Sequence, residues 1–127
     1  MIAALALATV ALADPTERAL TRCATVDAST AGQVACETAA QRSYDARMNR
    51  AYAALLRRLP GPAADGLRRA QRQWLAFRAA DAAARDALYA TRRGTMYAPM
   101  QAADDTAITR DRALQLEARL RVLSIDD

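Results

Sequence analysis

The run Leu55-Leu56-Arg57-Arg58-Leu59-Pro60-Gly61-Pro62-Ala63-Ala64-Asp65-Gly66-Leu67 divides the chain into two helical stretches. Proline lacks the amide hydrogen that a helix interior needs, and it disfavours helical geometry in the residue before it. Pro60-Gly61-Pro62 therefore stops one helix and forces a tight antiparallel return into the next. Upstream, Ser29-Thr30-Ala31-Gly32-Gln33 reads as a helix start, with Thr30 capping and Gln33 at the third helical position. The helix predicted from there runs to Leu59, with Val34, Tyr44, Met48, Tyr52, Leu55 and Leu59 mostly three or four residues apart.

Downstream, a helix from about Ala63 to Arg92 carries Leu67, Ala70, Trp74, Phe77, Leu88 and Tyr89 on or near one stripe. Arg92-Arg93-Gly94 supplies positive charge at its end and a glycine able to take the left-handed cap. A last helix from Pro99 to about Ser124 turns Thr109, Ala113, Leu116, Leu120 and Leu123 inward. Near the start, Asp14-Pro15-Thr16-Glu17 combines an N-cap, a first-turn proline and a capping-box glutamate, predicting a short helix to about Arg22. The expected fold is all-α: an antiparallel bundle of three long helices plus a short N-terminal helix, forming one domain over residues 14–127. No internal repeat, low-complexity tract or sustained heptad is present.

Composition points the same way. Of the 127 residues, 34 are alanine, which favours helix more than any other residue while burying little area. All 18 basic residues are arginine, and the net charge of +4 is modest and interspersed with acids. The uncharged run Ile2–Leu12, closed by Ala11-Leu12-Ala13, reads as a signal peptide over residues 1–13 with an A-x-A cleavage site. The basic segment that usually precedes such a run is missing, which leaves the translation start open. The run is also shorter than the roughly 20 residues a membrane span needs, so no transmembrane anchor is expected. Export, to the periplasm or beyond the cell, is the expected destination. Cys23 and Cys36 would be paired there, and a loop of this size contributes about 3 kcal/mol in the chain-entropy account.

Several polar residues fall where periodicity predicts burial: Asp45 and Asn49 beside Met48, Gln71, Arg78 and Asp81 beside Trp74, and Arg112 between Thr109 and Leu116. Buried charge is costly unless paired. The simplest expectation is an interhelical network in which Arg78 and Arg112 meet Asp45, Asp81 and the amides of Asn49 and Gln71. Catalysis by these carboxylates would need a cleft and two carboxyl groups with distinct acidities, which spacing alone does not supply. No catalytic residue, metal site or cofactor is expected: the chain has no histidine and only two cysteines.

The segments Tyr44-Asp45-Ala46-Arg47-Met48-Asn49-Arg50-Ala51-Tyr52 and Ala70-Gln71-Arg72-Gln73-Trp74-Leu75-Ala76-Phe77-Arg78, with Ala98-Pro99-Met100 and then Thr109, Arg112 and Leu116, resemble the LprI-like lysozyme-inhibitor domain family. The resemblance covers roughly residues 20–120. It implies an exported helical domain, and lysozyme inhibition is the activity that named the family. Where members commonly carry a second cysteine pair, this sequence has Ala82 and Asp105. The acid that often follows the arginine corresponding to Arg78 is replaced by Ala79, with Asp81 the nearest acid. The usual Gly-Gly-Ser loop appears as Arg93-Gly94-Thr95.

The partner suggested by the resemblance is a lysozyme-type glycosidase, whose cleft holds two carboxyl groups that an inserted arginine can pair with. Arg92 and Arg93, beside Thr95 and Tyr97, are the candidate binding loop. A positive inhibitor gains no long-range steering toward a basic lysozyme, so binding would rest on local complementarity. The alternative partner is an anionic cell-envelope polymer or headgroup layer met through Arg57-Arg58, Arg68-Arg69 and Arg92-Arg93. Nucleic acid is not expected, because the arginines are not interleaved with stacking aromatics.

Overall fold

The computed structural model describes residues 14–127, and the leader expected at residues 1–13 lies outside them. Four helices follow in order: α1 (Pro15–Val26), α2 (Thr30–Arg58), α3 (Gly61–Ala90) and α4 (Tyr97–Leu123). Cross-helix pairs fix their directions. Cys23–Cys36 and Asp14–Arg47 set α1 antiparallel to α2, and Asp45–Arg78 with Met48–Gln71 sets α3 antiparallel to it. Glu37–Thr106 and Arg47–Glu117 run α4 alongside α2 in the same direction. The helical bundle with a short N-terminal helix and a Cys23–Cys36 disulfide is thus the fold expected from the sequence.

The helix ends differ in detail, each for a local reason. Ser29, not Thr30, caps α2, its Oγ accepting from the Gly32 amide at 3.0 Å. The Asp27 carboxylate accepts from the Ser29 amide and lies over Gly32, where any β-carbon would collide with it. Gln33 instead donates its side-chain amide to the Ala28 carbonyl. The first helix continues past Arg22 to Val26. Helices α3 and α4 both begin two residues earlier than expected and carry Pro62 and Pro99 in their first turns, where a missing amide costs nothing.

The closest helix pair is α2 with α4, and small residues permit it. Ala40 and Ala51 of α2 and Thr106, Thr109 and Ala113 of α4 are all buried, leaving room for backbones to approach. Thr106 Oγ1 bridges the gap, donating to the Glu37 carbonyl or to its own Ala102 carbonyl, each at 3.0 Å. Tyr44, Met48, Leu55, Leu67 and Leu116 fill the core. Thr109 Oγ1 is buried yet finds no hydrogen-bond partner among the described residues. Thr109→Val should therefore stabilise the fold by about 1 kcal/mol, since it removes an unsatisfied hydroxyl at nearly constant shape. Urea unfolding of the two proteins checks this, and a lower midpoint for the variant would contradict it.

Helix α1 offers little apolar surface: only Thr16 is buried, and Val26 is 88% exposed. Its attachment rests on the disulfide, with Cα atoms 5.7 Å apart, and on polar contacts. Reduction is expected to cost about 3 kcal/mol. Hydrogen exchange should then accelerate in residues 15–26 before α2, α3 or α4, and uniform acceleration would count against this picture.

The apolar stripe read for α3 needs correction. Leu67 is buried and Trp74 half-buried, but Ala70 is exposed and Phe77 and Leu88 are each 58% exposed. The inward row is instead Leu67, Gln71, Trp74, Arg78, Arg85 and Tyr89. Phe77 precedes Arg78 by one residue, and one residue rotates a helical side chain by about 100°.

Candidate functional site

Past Gln71 no residue of α3 is buried, and the helix is joined to its neighbours by long polar side chains. Arg78 Nη1 donates to Asp45 Oδ1 at 3.2 Å, and Asn49 Nδ2 donates to Asp45 Oδ2 at 3.3 Å. One helical stretch further on, Arg85 pairs with Asp105 of α4 at 2.7 Å and with Asp81 on its own helix. Gln101 donates to Asp86 at 2.6 Å. Between these struts lies an open cleft of about 720 Å³, walled by Asp45, Asn49 and Arg78 on one side and Arg85, Asp86 and Asp105 on the other. Each carboxylate in that wall is already engaged by a guanidinium or an amide.

Trp74 is half-buried and packs against the core. The Arg78 guanidinium lies 4.8 Å and that of Arg112 5.7 Å from its ring centroid, a cation–π arrangement. Arg112 is only 7% exposed, and two of its nitrogens donate to Gln71 Oε1 at 3.0 and 2.9 Å. It also donates to Gln115 on its own helix. Burial, reinforced by the charge of Arg119, pushes the Arg112 guanidinium below its ordinary pKa.

The residues read as one polar network fall into separate groups. Asp45, Asn49 and Arg78 form one, Gln71 and Arg112 another, and Trp74 stands between them. Asp81 joins neither: it pairs with Arg85 one turn on along its own helix, while Arg78 reaches across to Asp45 of α2. No carboxylate meets Arg112 among the described residues.

A third polar cluster ties α1 to α2 and α4. Arg47 pairs with Asp14 at 2.9 Å and with Glu117 at 2.8 Å. The Tyr44 hydroxyl donates to Glu17 at 2.7 Å. Burial and then the Glu17 contact raise the Tyr44 phenol above its ordinary pKa. Burial opposes the Asp14 carboxylate, yet Arg47 and the backbone amides of Glu17 and Thr16 hold its pKa below 3.8. The Glu117 hydrogen bond leads the effects that raise Arg47. Periodicity placed Arg47 one turn from Tyr44 but carried no signal for partners 33 and 70 residues away.

The turn between α3 and α4 stands at the end of the bundle where α1 finishes and α2 begins. Arg92, Arg93 and Thr95 are exposed, and half-buried Tyr97 opens α4. Gly94 takes φ +119°, the left-handed region that a side chain would strain. Met96 and Met100 add exposed apolar surface at 63% and 47%. The Arg57-Arg58 and Arg68-Arg69 pairs flank the opposite end. There Arg58 is bound to Ser124, the Leu123 carbonyl and Asp127, and Arg68 to Asp65.

Residues 21–116 match the family described as lysozyme inhibitor LprI. The chain belongs to that family. A solved structure of an uncharacterized protein from Burkholderia thailandensis is similar over 88% of this chain, with 34% identity and a TM-score of 0.84. This chain spans 56% of that protein's length. No curated protein matches.

Within this LprI domain, Ala82 and Asp105, the positions where the resemblance places a second cysteine pair, line the same cleft. The Arg85–Asp105 contact spans α3 and α4 there. No helix of the described residues is long and apolar enough to cross a membrane.

Proposed function

We propose that this protein is an exported, non-enzymatic binding domain that inhibits a lysozyme-type glycosidase. Membership of the LprI family supports the class of activity, and the disulfide suits an oxidising compartment, periplasmic or extracellular. The observation that carries the reading is the α3–α4 turn. It presents Arg92 and Arg93 with exposed Met96 and Met100 at one tip of the bundle, and arginine and methionine are enriched in interfaces. An arginine entering a glycosidase cleft would meet the acid and nucleophile or base carboxyl groups and pair with them.

Purified oxidised protein titrated into a lysozyme assay should lower activity in proportion to complex formed. Replacing both arginines by alanine should weaken inhibition by at least roughly tenfold, in line with losing a desolvated charge pair. Unchanged lysozyme activity at about 50 µM inhibitor, where any specific complex would be populated, would exclude the proposal. An anionic envelope polymer is the less favoured partner. The arginine pairs lie at two ends of the bundle, and Arg58 and Arg68 are already engaged. Salt-sensitive co-sedimentation with wall material or anionic vesicles would support it instead.

A further inference from the structure

At the tip where the α3–α4 turn stands, α1, α2 and α4 form an open groove of about 590 Å³. Leu20 and Ala24 of α1 make one wall and Pro99, Met100 and Ala103 of α4 the other, with Glu37 contributed by α2, which packs against both. Met100 joins the groove to the turn, because exposed Met96 precedes it by about one helical turn. Glu37 is the only charged residue lining the groove, and it is half-buried. Its carboxylate has no hydrogen bond or ion pair among the described residues. Every other acid from Asp14 to Glu117 is engaged within the domain.

A second feature gives the groove the same sign. Helix α1 ends beside it at Ala24 and Thr25 with no basic residue in its last turn, so the negative end of its dipole is not offset there. The opposing positive end is the first turn of α4, where Pro99 lacks one of the amide hydrogens that turn would present.

We propose, resting on the inhibitory reading above, that this groove receives a lysine or arginine side chain of the glycosidase, with Glu37 as its counter-charge. The aliphatic stem of such a side chain would lie along Leu20, Ala24 and Met100 while its charged head reaches the carboxylate. Charge complementarity selects the occupant: an apolar side chain would bury Glu37 without a partner, and an acidic one would repel it. The tip then presents both signs side by side, Arg92 and Arg93 for the carboxyl groups of the enzyme cleft and Glu37 for a basic residue on its rim. A basic lysozyme with an acidic cleft matches that pattern, so a chain of net charge +4 meets it by local pairing instead of long-range steering. The disulfide takes part as well, since Cys36 lines the groove and its bond to Cys23 holds the α1 wall in place.

The test titrates the oxidised protein into a basic lysozyme at about 10 mM and about 100 mM salt, between which the screening length falls from about 30 to about 10 Å. Glu37→Gln breaks no side-chain contact within the domain, so its thermal unfolding should be unchanged while inhibition weakens roughly tenfold at the lower salt and less at the higher. Glu37→Arg, which sets like charges together, should weaken it by at least roughly a hundredfold. Ala103→Phe, at an exposed position in the α4 wall, should fill the groove and also weaken inhibition. Asp65→Asn removes the same charge at the opposite end of the bundle and should leave inhibition within about twofold. If the parent inhibits and depends on Arg92 and Arg93, but Glu37→Gln behaves as Asp65→Asn does, the groove proposal is overturned and the inhibitory reading stands. A parent that does not inhibit at about 50 µM overturns both.

Discussion

Arg47→Ala is expected to destabilise the domain by about 3 kcal/mol, because it leaves two carboxylates partly buried without their counter-charge. Asp14 and Arg47 each keep only 13% of their side-chain exposure, and Glu117 keeps 26%. Such a pair retains some solvent screening, which places the loss at the lower end for a buried ion pair. The Arg47 guanidinium also lies 5.0 Å from the Tyr44 ring centroid, so its removal loosens the packing over Tyr44 as well. Arg50→Ala, three residues on and exposed, should change stability by less than about 0.5 kcal/mol. Thermal or urea unfolding of the three proteins decides it, and equal losses from both substitutions would refute the role given to Arg47.

Acid provides a second reading of the same cluster. The pKa of Asp14 is lower in the folded protein than its ordinary 3.8, so the folded state favours its charged form. That contribution is complete above the unfolded value, near 3.9, and disappears as pH falls through the folded one. In Arg47→Ala the Asp14 carboxylate loses the guanidinium that favours its charged form, while burial, which favours the protonated form, and the Glu17 and Thr16 amides remain, so its pKa rises relative to the parent protein. The stability gap between the two proteins should therefore narrow below about pH 4. A gap that stays constant down to pH 3, still roughly a unit below the unfolded value, would contradict the ion-pair account.

The sequence revealed most about features governed by neighbours in the chain. Pro60-Gly61-Pro62 marked the α2–α3 turn, and the apolar spacing of Tyr44, Met48 and Leu55 marked the face that is buried. Features that depend on how far apart helices stand were not legible. The row continuing through Trp74, Arg78 and Arg85 is helically periodic, but α3 draws away from α2 and α4 after Gln71, so arginines span the space where apolar residues would pack. Phe77 and Leu88 consequently lie outside the core although their spacing resembles that of core residues. The candidate arginines at 92 and 93 were readable as a helix end, whereas their grouping with Met96 and Met100 at one tip required the fold.

Gln71→Leu should cost about 3 kcal/mol although it places an apolar residue at a buried position. Gln71 Oε1 receives both the Nε and Nη2 donors of Arg112, a guanidinium that is 7% exposed and has no acidic partner among the described residues. Its remaining compensation is Gln115 and the face of Trp74, which it shares with Arg78. Removing the acceptor strands a charge in the interior, whereas removing the charge strands only an amide oxygen. Arg112→Met should accordingly cost about 1 kcal/mol, and the double substitution should cost no more than Arg112→Met alone, since the apolar pair replaces both polar groups together. The cycle then yields a coupling of about 3 kcal/mol between residues on different helices. Denaturant unfolding of the four proteins measures it directly. Additive losses would mean that Arg112 is sustained by Gln115 and Trp74, and that the Gln71 contact is incidental to the register of α3 against α4.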